Sequence, residues 1–208
     1  MAEVIPSILV KSSQEFTDKL RLVESFVGRV HVDIADGIFV PNKTIDGVDE
    51  VESADSQVLF GVHLMVSKPE NHLARWLEAP IESISFHIEA TNKEQQVIDE
   101  IKEADILVGI ALNPATPVSS IEDYVNQLDF VHFMTVEPGF YGGEFIPDVI
   151  KKIADFHYFY PDMPITVDGG ITPENATELV QAGATTLIVG SYIFQAKEIK
   201  KALDEFRN

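Results

Sequence analysis

Short β-rich runs alternate with segments of helical apolar spacing along this chain, and that alternation most constrains the fold. Most of the β-rich runs are followed by stretches such as SSQEFTDKLRLVESFV or TPENATELVQAG, where apolar residues recur every three or four positions. Strands that alternate with helices pair in parallel, because the crossover returns the chain to the same end of the sheet. The eight runs are VIPSILV, RVHVDIA, QVLFGVHLMV, SISFHIEA, DILVGIALN, DFVHFMTV, PITVDGG and TTLIVGS.

Eight strand–helix units within 208 residues predict an α/β protein with the (β/α)8, or TIM barrel, architecture. A doubly wound open sheet is the alternative. The second crossover, near VDEVESAD, has the weakest helical pattern. Because no linker or low-complexity segment divides the chain, we expect residues 1–208 to form one barrel domain.

The charge balance excludes some partners. The chain has 15 Lys and Arg against 34 Asp and Glu, a net charge of −19, which argues against nucleic acid and anionic membranes. A small anionic ligand stays possible, because backbone N–H groups at helix N-termini bind phosphate without lysine. The absence of cysteine excludes thiolate chemistry. With no leader-like start and no stretch of about 18 apolar residues, we expect a cytoplasmic protein.

Polar residues interrupt several predicted strands near their C-terminal ends, where barrel enzymes place catalytic groups. In RVHVDIADG, the two-residue period puts His31 and Asp33 on one face of the second strand. The other candidates at this rim are Ser7, His63, His87 and Asp168. We assign structural roles to the remaining histidines, His72 and His157 in helices and His132 in the sixth strand.

Imidazoles and carboxylates at one rim suit a divalent transition metal, namely Zn, Fe, Mn or Co. The two rim aspartates would neutralise the charge of such an ion. A single strand histidine is more often a satisfied core or rim residue. His31-x-Asp33 followed by His63 is weakly specific as spacing, and it gains force from the barrel frame.

Glycine turns follow the last three strands, in VEPGFYGGEF, DGGITPEN and VGSYIF. Turns after strands seven and eight commonly seat a phosphate in barrels, since glycine allows close approach and the next helix supplies N–H donors. In ITPEN, Thr172 is predicted as an N-cap with Pro173 at the first helical position. The alternative is that these glycines only complete turns.

Taken together, these motifs resemble the ribulose-phosphate 3-epimerase family over nearly the whole chain. The matching segments follow the family's order: PSIL at 6–9, HVDIADGIFVPN at 31–42, HLMV at 63–66, FHIEA at 86–90, ALNPATP at 111–117, MTVEPGF at 134–140, VDGGI at 167–171 and GSYIF at 190–194.

The resemblance implies a ribulose-phosphate-binding TIM barrel that interconverts D-ribulose 5-phosphate and D-xylulose 5-phosphate through an enediolate. It implies one divalent metal ion held by His31, Asp33, His63 and Asp168, with Asp33 and Asp168 as catalytic acid/base groups. A phosphosugar substrate and a homo-oligomer are also implied. The residues it assigns to substrate binding are Ser7, His63, Met65, Met134, Gly142, Gly143, Gly169, Gly170, Gly190 and Ser191.

Two departures from the family pattern bear on specificity. Ala35 stands where the family usually has methionine, and PGFYGGE places Tyr141 and Gly143 where the family usually has a small residue and glutamine. Two alternatives therefore stay open, an allulose-6-phosphate 3-epimerase and a non-catalytic phosphosugar-binding barrel. A Schiff-base aldolase is disfavoured, because the strand runs lack lysine.

Overall fold

The computed structural model describes residues 2–139 and 142–206, which contain eight strands and eight α-helices. Each strand falls within one of the runs predicted from sequence or one residue beyond it. The strands are β1 Glu3–Ile8, β2 Arg29–Ala35, β3 Leu59–Met65, β4 Ser83–His87, β5 Leu107–Leu112, β6 Phe130–Met134, β7 Ile165–Asp168 and β8 Thr186–Val189.

All neighbouring strands pair in parallel, and the sheet closes because β1 pairs with both β2 and β8. The predicted (β/α)8 barrel is therefore confirmed, and the open doubly wound alternative is wrong. The register of β2 against β3 places Asp33 beside His63 and His31 beside Gly61. In this way the register brings polar residues from separate strands to one level of the barrel.

The helices cover the outside of the barrel. In α1, the Glu15 backbone N–H donates to the Ser12 hydroxyl at 3.3 Å and caps the helix, while Phe16, Leu20 and Val23 form its buried face. The helices are α1 Ser13–Val23, α2 Val48–Glu52, α3 Leu73–Trp76, α4 Glu94–Glu103, α5 Asp148–Phe159, α6 Pro173–Gln181, α7 Ser191–Phe194 and α8 Ile199–Asp204.

Three crossovers are poor in helix, and the third contains only the four-residue α3 beside a 3₁₀ turn at Pro69–Asn71. The second contains only the short α2, in line with its weak sequence pattern. Between β5 and β6 the chain forms 3₁₀ turns at Val118–Ile121 and Val125–Gln127. The Lys152 ammonium donates to the carbonyl oxygens of Asn113, Pro114 and Thr116 at 2.9, 3.1 and 3.0 Å, so α5 fixes the start of this crossover.

Apolar residues fill the layer between strands and helices, while the barrel interior near its C-terminal end is polar. In β2, Val30, Val32 and Ile34 are buried in the main apolar core. His31 and Asp33 alternate with them and are also buried. Among the described helices, none has the length and apolarity that a membrane crossing requires.

Candidate active site

Strands β2 and β3 place three polar side chains inside the barrel. Asp33 Oδ1 lies 3.0 Å from His63 Nδ1 and 3.6 Å from His31 Nε2. The Ser7 hydroxyl, from β1, donates a hydrogen bond to Asp33 Oδ2. The two-residue alternation in RVHVDIADG therefore does put His31 and Asp33 on one face, as predicted.

Strands β6 and β7 complete this cluster. Asp168 ends β7, and its Oδ2 lies 3.7 Å from His63 Nδ1 and 3.6 Å from His132 Nε2. One ligand atom from each of His31, His63, His132 and Asp168 lies within 4.8 Å of the others. Asp33 adjoins this group through the His63 and His31 contacts, so five donor side chains from four strands share one small volume.

The donor set fits a divalent cation. Ligand atoms about 2.0–2.2 Å from one ion lie about 3.0–3.6 Å from each other, close to the separations in this cluster. The Nε2 atoms of His31 and His132 are buried without a hydrogen-bond partner among residues 2–139 and 142–206. Nitrogen and carboxylate donors suit Zn, Fe, Co or Mn. The cluster could therefore hold a metal ion.

Burial sets the protonation of these groups. It lowers the pKa of His31, His63 and His132, which favours neutral imidazoles with a free lone pair. Burial raises the pKa of Asp33, and burial together with the charge of Asp33 raises the pKa of Asp168 well above its usual value. The positive charge near the two carboxylates is thus too small to offset their burial, and a bound cation would stabilise their ionised form.

A second chain of contacts orients His63. Its Nε2 lies 2.8 Å from His87 Nε2, and His87 Nδ1 lies 3.3 Å from Glu89 Oε2. Glu89 also accepts from the Thr116 hydroxyl and the Asn113 backbone N–H. Partial burial would raise the pKa of Glu89, but these hydrogen bonds outweigh it and lower the pKa to about 2. Glu89 is therefore a carboxylate that accepts from His87.

A cleft opens above the cluster at the C-terminal end of the barrel. Asp33 and Asp168 reach its floor, and Met65 and Met134 line its sides. All the predicted substrate-binding residues except His63 line this cleft: Ser7, Met65, Met134, Gly142, Gly143, Gly169, Gly170, Gly190 and Ser191. His63 lies below it, where it contacts both aspartates.

Glycine is required in the cleft wall for a steric reason. Gly169 has φ +114°, and a Cβ there would lie 2.4 Å from Val136 Cγ2. A Cβ on Gly143 would lie 2.9 Å from Val136 Cβ. The loops after β6 and β7 thus pack on one valine side chain, which holds them against each other. Tyr141 lies outside the described residues.

The turn after β7 leads into α6 as predicted. Thr172 is the N-cap and Pro173 the first helical residue. The Thr172 backbone N–H donates to Asn175 Oδ1 at 2.9 Å, and Asn175 Nδ2 donates to the Gly170 carbonyl at 3.0 Å. These bonds fix the glycine turn against the helix start, beside Gly190 and Ser191 at the start of α7.

The structure brings together all four residues of the predicted metal set and adds His132, to which the sequence analysis assigns a structural role. A signal was available, because His132 lies two residues before Met134 and strand alternation puts both on the inner face. His157 lies in α5 as predicted. His72 lies between a 3₁₀ turn and α3.

The fold and cluster define a parallel (β/α)8 barrel with a His/Asp site able to hold a divalent metal, below a glycine-lined cleft. The sequence model of the ribulose-phosphate 3 epimerase family matches residues 3–194, and the chain belongs to this family. It is therefore an isomerase of the epimerase type, and the non-catalytic alternative is not supported.

Curated relatives match nearly the whole of this chain. The chain is 36% identical over 214 residues to ribulose-phosphate 3-epimerase of Bacillus subtilis (strain 168), covering 100% of this chain and 99% of that protein. It is 36% identical over 209 residues to the chloroplastic ribulose-5-phosphate-3-epimerase of Arabidopsis thaliana, covering 96% of this chain and 74% of that protein.

Solved structures share the fold at low identity. A 3-hexulose-6-phosphate synthase superposes with a TM-score of 0.72 at 13% identity, covering 99% of this chain and 97% of the other. KGPDC from Streptococcus mutans gives 0.73 at 11% identity, covering 99% and 95%. These similarities support the barrel architecture alone.

Proposed function

We propose that this chain interconverts D-ribulose 5-phosphate and D-xylulose 5-phosphate by metal-dependent, two-base proton transfer at C3. The observation that carries the proposal is the meeting of Asp33 and Asp168 on His63. The carboxylates come from β2 and β7, both contact His63 Nδ1, and both reach the cleft floor. Inverting a carbon needs one group on each face of it, because a single base tends to return the proton to the side it left.

The metal would be held by His31, Asp33, His63 and Asp168, whose donor atoms fit a divalent ion. A bound divalent cation supplies Lewis-acid stabilisation of the negative charge that develops when a proton leaves the carbon next to a carbonyl. Neutral imidazoles and ionised carboxylates are the states that such an ion requires. Burial lowers the pKa of His31 and His63 and so already favours the neutral imidazoles.

The two aspartates would exchange roles with the direction of reaction. One carboxylate removes the C3 proton, which leaves an enediolate, and the other carboxyl group gives a proton to the opposite face. Burial raises the pKa of both groups, so each carboxylate is a stronger base than an exposed aspartate. The Ser7 hydroxyl, bonded to Asp33 Oδ2, holds that carboxylate in orientation.

The phosphate would bind away from the reacting carbon. Gly170, Gly190 and Ser191 line the cleft at the turns after β7 and β8, where (β/α)8 barrels commonly bind phosphate through backbone N–H groups. Binding energy from this remote group orients C3 between the carboxylates. Met65 and Met134 form apolar walls that exclude water from the reacting carbon.

Isotope exchange tests this proposal. With ribulose 5-phosphate in D₂O, we expect xylulose 5-phosphate to carry deuterium at C3, as measured by NMR. Product without deuterium at C3 would reject proton transfer through solvent-exchangeable carboxyl groups. Prolonged chelation should abolish turnover and a divalent ion should restore it, whereas full activity in protein shown to be metal-free would reject the metal requirement.

A six-carbon ketose phosphate such as allulose 6-phosphate is the second candidate substrate. Ala35 presents a small side chain that packs with Met65, a cleft-lining residue, so this wall is less bulky than a methionine would make it. Single contacts of this kind shift specificity by about 1–3 kcal/mol. The ratio of kcat/KM on the two sugars decides between them, and we expect the pentose to be preferred.

A further inference from the structure

His132 is an unused nitrogen donor at the base of the cluster. Its Nε2 lies 3.6 Å from Asp168 Oδ2 and is buried with no hydrogen-bond partner in the part of the chain that the structure describes. The His132 side chain is fully buried. A buried polar atom without a partner is costly, and its presence beside four other donors requires an explanation.

We propose that His132 is an additional ligand of the metal ion, beyond the four residues that the family resemblance implies. The inference rests on the metal-dependent function proposed above. One ring nitrogen of His132 belongs to the same group as donor atoms of His31, His63 and Asp168, all within 4.8 Å of each other. Nε2 is the nitrogen that lies beside Asp168. The ion would then have three imidazole and two carboxylate donors available.

The environment of His132 favours the tautomer that a ligand needs. Its Nδ1 lies 3.0 Å from the Ser85 hydroxyl. When Nδ1–H donates to that oxygen, Nε2 keeps its lone pair and directs it at the cluster. A hydrogen bond of this kind to the far ring nitrogen is the usual arrangement for a metal-bound histidine.

Packing holds the ring in this direction. The ring centroid of His132 lies 4.5 Å from that of His63 and 5.5 Å from that of His31, so three imidazoles pack together. This packing holds His132 against two of the proposed metal ligands, His31 and His63.

His132 approaches from below, away from the substrate. In the β6–β7 register it pairs with Thr166, two residues before the Met134–Asp168 pair at the cleft. The described residues that line the cleft include Met134 and Asp168 but not His132. A ligand on this side would leave the cleft side of the ion open for substrate oxygens.

A third imidazole has a chemical consequence. Imidazole suits Zn and Co, whereas a site dominated by carboxylate oxygens suits Mn. We therefore expect His132 to strengthen binding of Zn²⁺ and Co²⁺ more than that of Mn²⁺. This preference depends on the donor atom itself, which makes it separable from a packing role.

The test measures metal binding, not turnover. Dissociation constants for Zn²⁺ and Mn²⁺ are obtained by chelator competition for wild type, His132→Leu and His132→Asn, with His72→Gln as the control for loss of a histidine. Because losing even an outer partner of a metal ligand costs about 10–100-fold, we expect Zn²⁺ to bind at least about tenfold more weakly to both His132 variants. Mn²⁺ should weaken less, His72→Gln should match wild type, and the visible spectrum of bound Co²⁺ should change in both His132 variants.

The outcomes separate this inference from the proposed function. Equal Zn²⁺ affinity and an unchanged Co²⁺ spectrum in the His132 variants would overturn the inference and leave the four-ligand site intact. Wild-type protein that binds no divalent ion would overturn both. Urea unfolding of the metal-free variants checks their fold, and His132→Asn, which keeps a polar side chain, provides the same comparison if His132→Leu does not fold.

Discussion

The Nε2 atoms of His63 and His87 lie 2.8 Å apart inside the barrel, a distance at which one nitrogen must donate to the other. The contact of His87 with Glu89 determines which of the two nitrogens donates the hydrogen bond. Because its carboxylate accepts from His87 Nδ1–H, His87 Nε2 is an acceptor and His63 Nε2 must carry the proton. His63 Nδ1 is then left with a lone pair, and this is the atom that faces Asp33 and Asp168.

Replacing His87 should weaken metal binding without removing a ligand. In His87→Gln the hydrogen bond that fixes the His63 tautomer is lost, and such outer partners are worth about 10–100-fold in metal affinity. We expect the Zn²⁺ dissociation constant, measured by chelator competition, to rise within that range. His157→Gln, a histidine of α5, serves as the matched control. Unchanged affinity in His87→Gln would show that the chain from Glu89 does not orient His63.

The two aspartates can be separated by isotope exchange. With the divalent ion in excess, Asp168→Asn should lose about 10²–10⁴-fold in epimerisation, the usual contribution of a general acid or base. Asp33 alone can still remove and return a proton on its own face. We therefore expect deuterium at C3 of one recovered epimer without conversion, and at C3 of the other epimer in Asp33→Asn, both measured by NMR.

Two results would contradict the assignment of these carboxylates. Conversion at a near-normal rate in Asp168→Asn would remove Asp168 from proton transfer. Exchange into the same epimer in both variants would mean that the two groups act on one face. The exposed Asp162→Asn is the control for loss of a carboxylate and should behave as wild type.

Gly169 tests the packing of the cleft loops. Alanine there would place a Cβ 2.4 Å from Val136 Cγ2 and hold a φ of +114° that L-residues rarely adopt. Overpacking and backbone strain together predict a loss of about 2–5 kcal/mol in the free energy of unfolding. Gly28, whose added Cβ would meet nothing within 4 Å, is the control and should change stability by less than about 1 kcal/mol. Urea denaturation measures the free energy of unfolding of both alanine variants. Similar losses at Gly169 and Gly28 would contradict the steric role of Gly169.

Glu89 predicts a pH dependence. Hydrogen bonds lower its folded-state pKa to about 2 despite partial burial, from an ordinary value of 4.5. Its stabilisation is therefore complete above the ordinary value and is lost as the pH falls towards the folded value. We expect the difference in free energy of unfolding between wild type and Glu89→Gln to narrow from about pH 5 to about pH 3, measured by urea denaturation. A constant difference would contradict the depressed pKa, and exposed Glu103→Gln is the control.

Much of this fold could be predicted, because buried strands have a recognisable pattern of apolar residues in the sequence. Runs such as RVHVDIA, now β2, combine β-branched residues with a two-residue period, and the barrel follows once eight of them alternate with crossovers. Part of the candidate site could be predicted in the same way, because Asp33 and His63 lie opposite each other near the C-terminal ends of neighbouring parallel strands. The segment after β5 was less legible, because 3₁₀ turns lack the 3.6-residue period by which helices are recognised.

His132 shows a different limit. In sequence it is one polar residue in the apolar run DFVHFMTV, and such a residue is usually a satisfied core side chain. Its neighbours in space come from β2, β3 and β7, so only the closed barrel shows what its nitrogen faces. The local sequence pattern predicts the face of the strand on which a side chain lies. Its contacts depend on strands that are distant in the chain.

The barrel can close, and the candidate site can assemble, only late in translation. After β1, the strands β2 and β3 leave the ribosome with His31, Asp33 and His63. Asp168 follows only with β7, and β1 gains its second neighbour only with β8. Synthesis at about 5–20 residues per second separates these moments by several seconds. We therefore expect the nascent polypeptide to be inactive until β7 has been made, because a product truncated before β7 would contain Asp33 but lack Asp168.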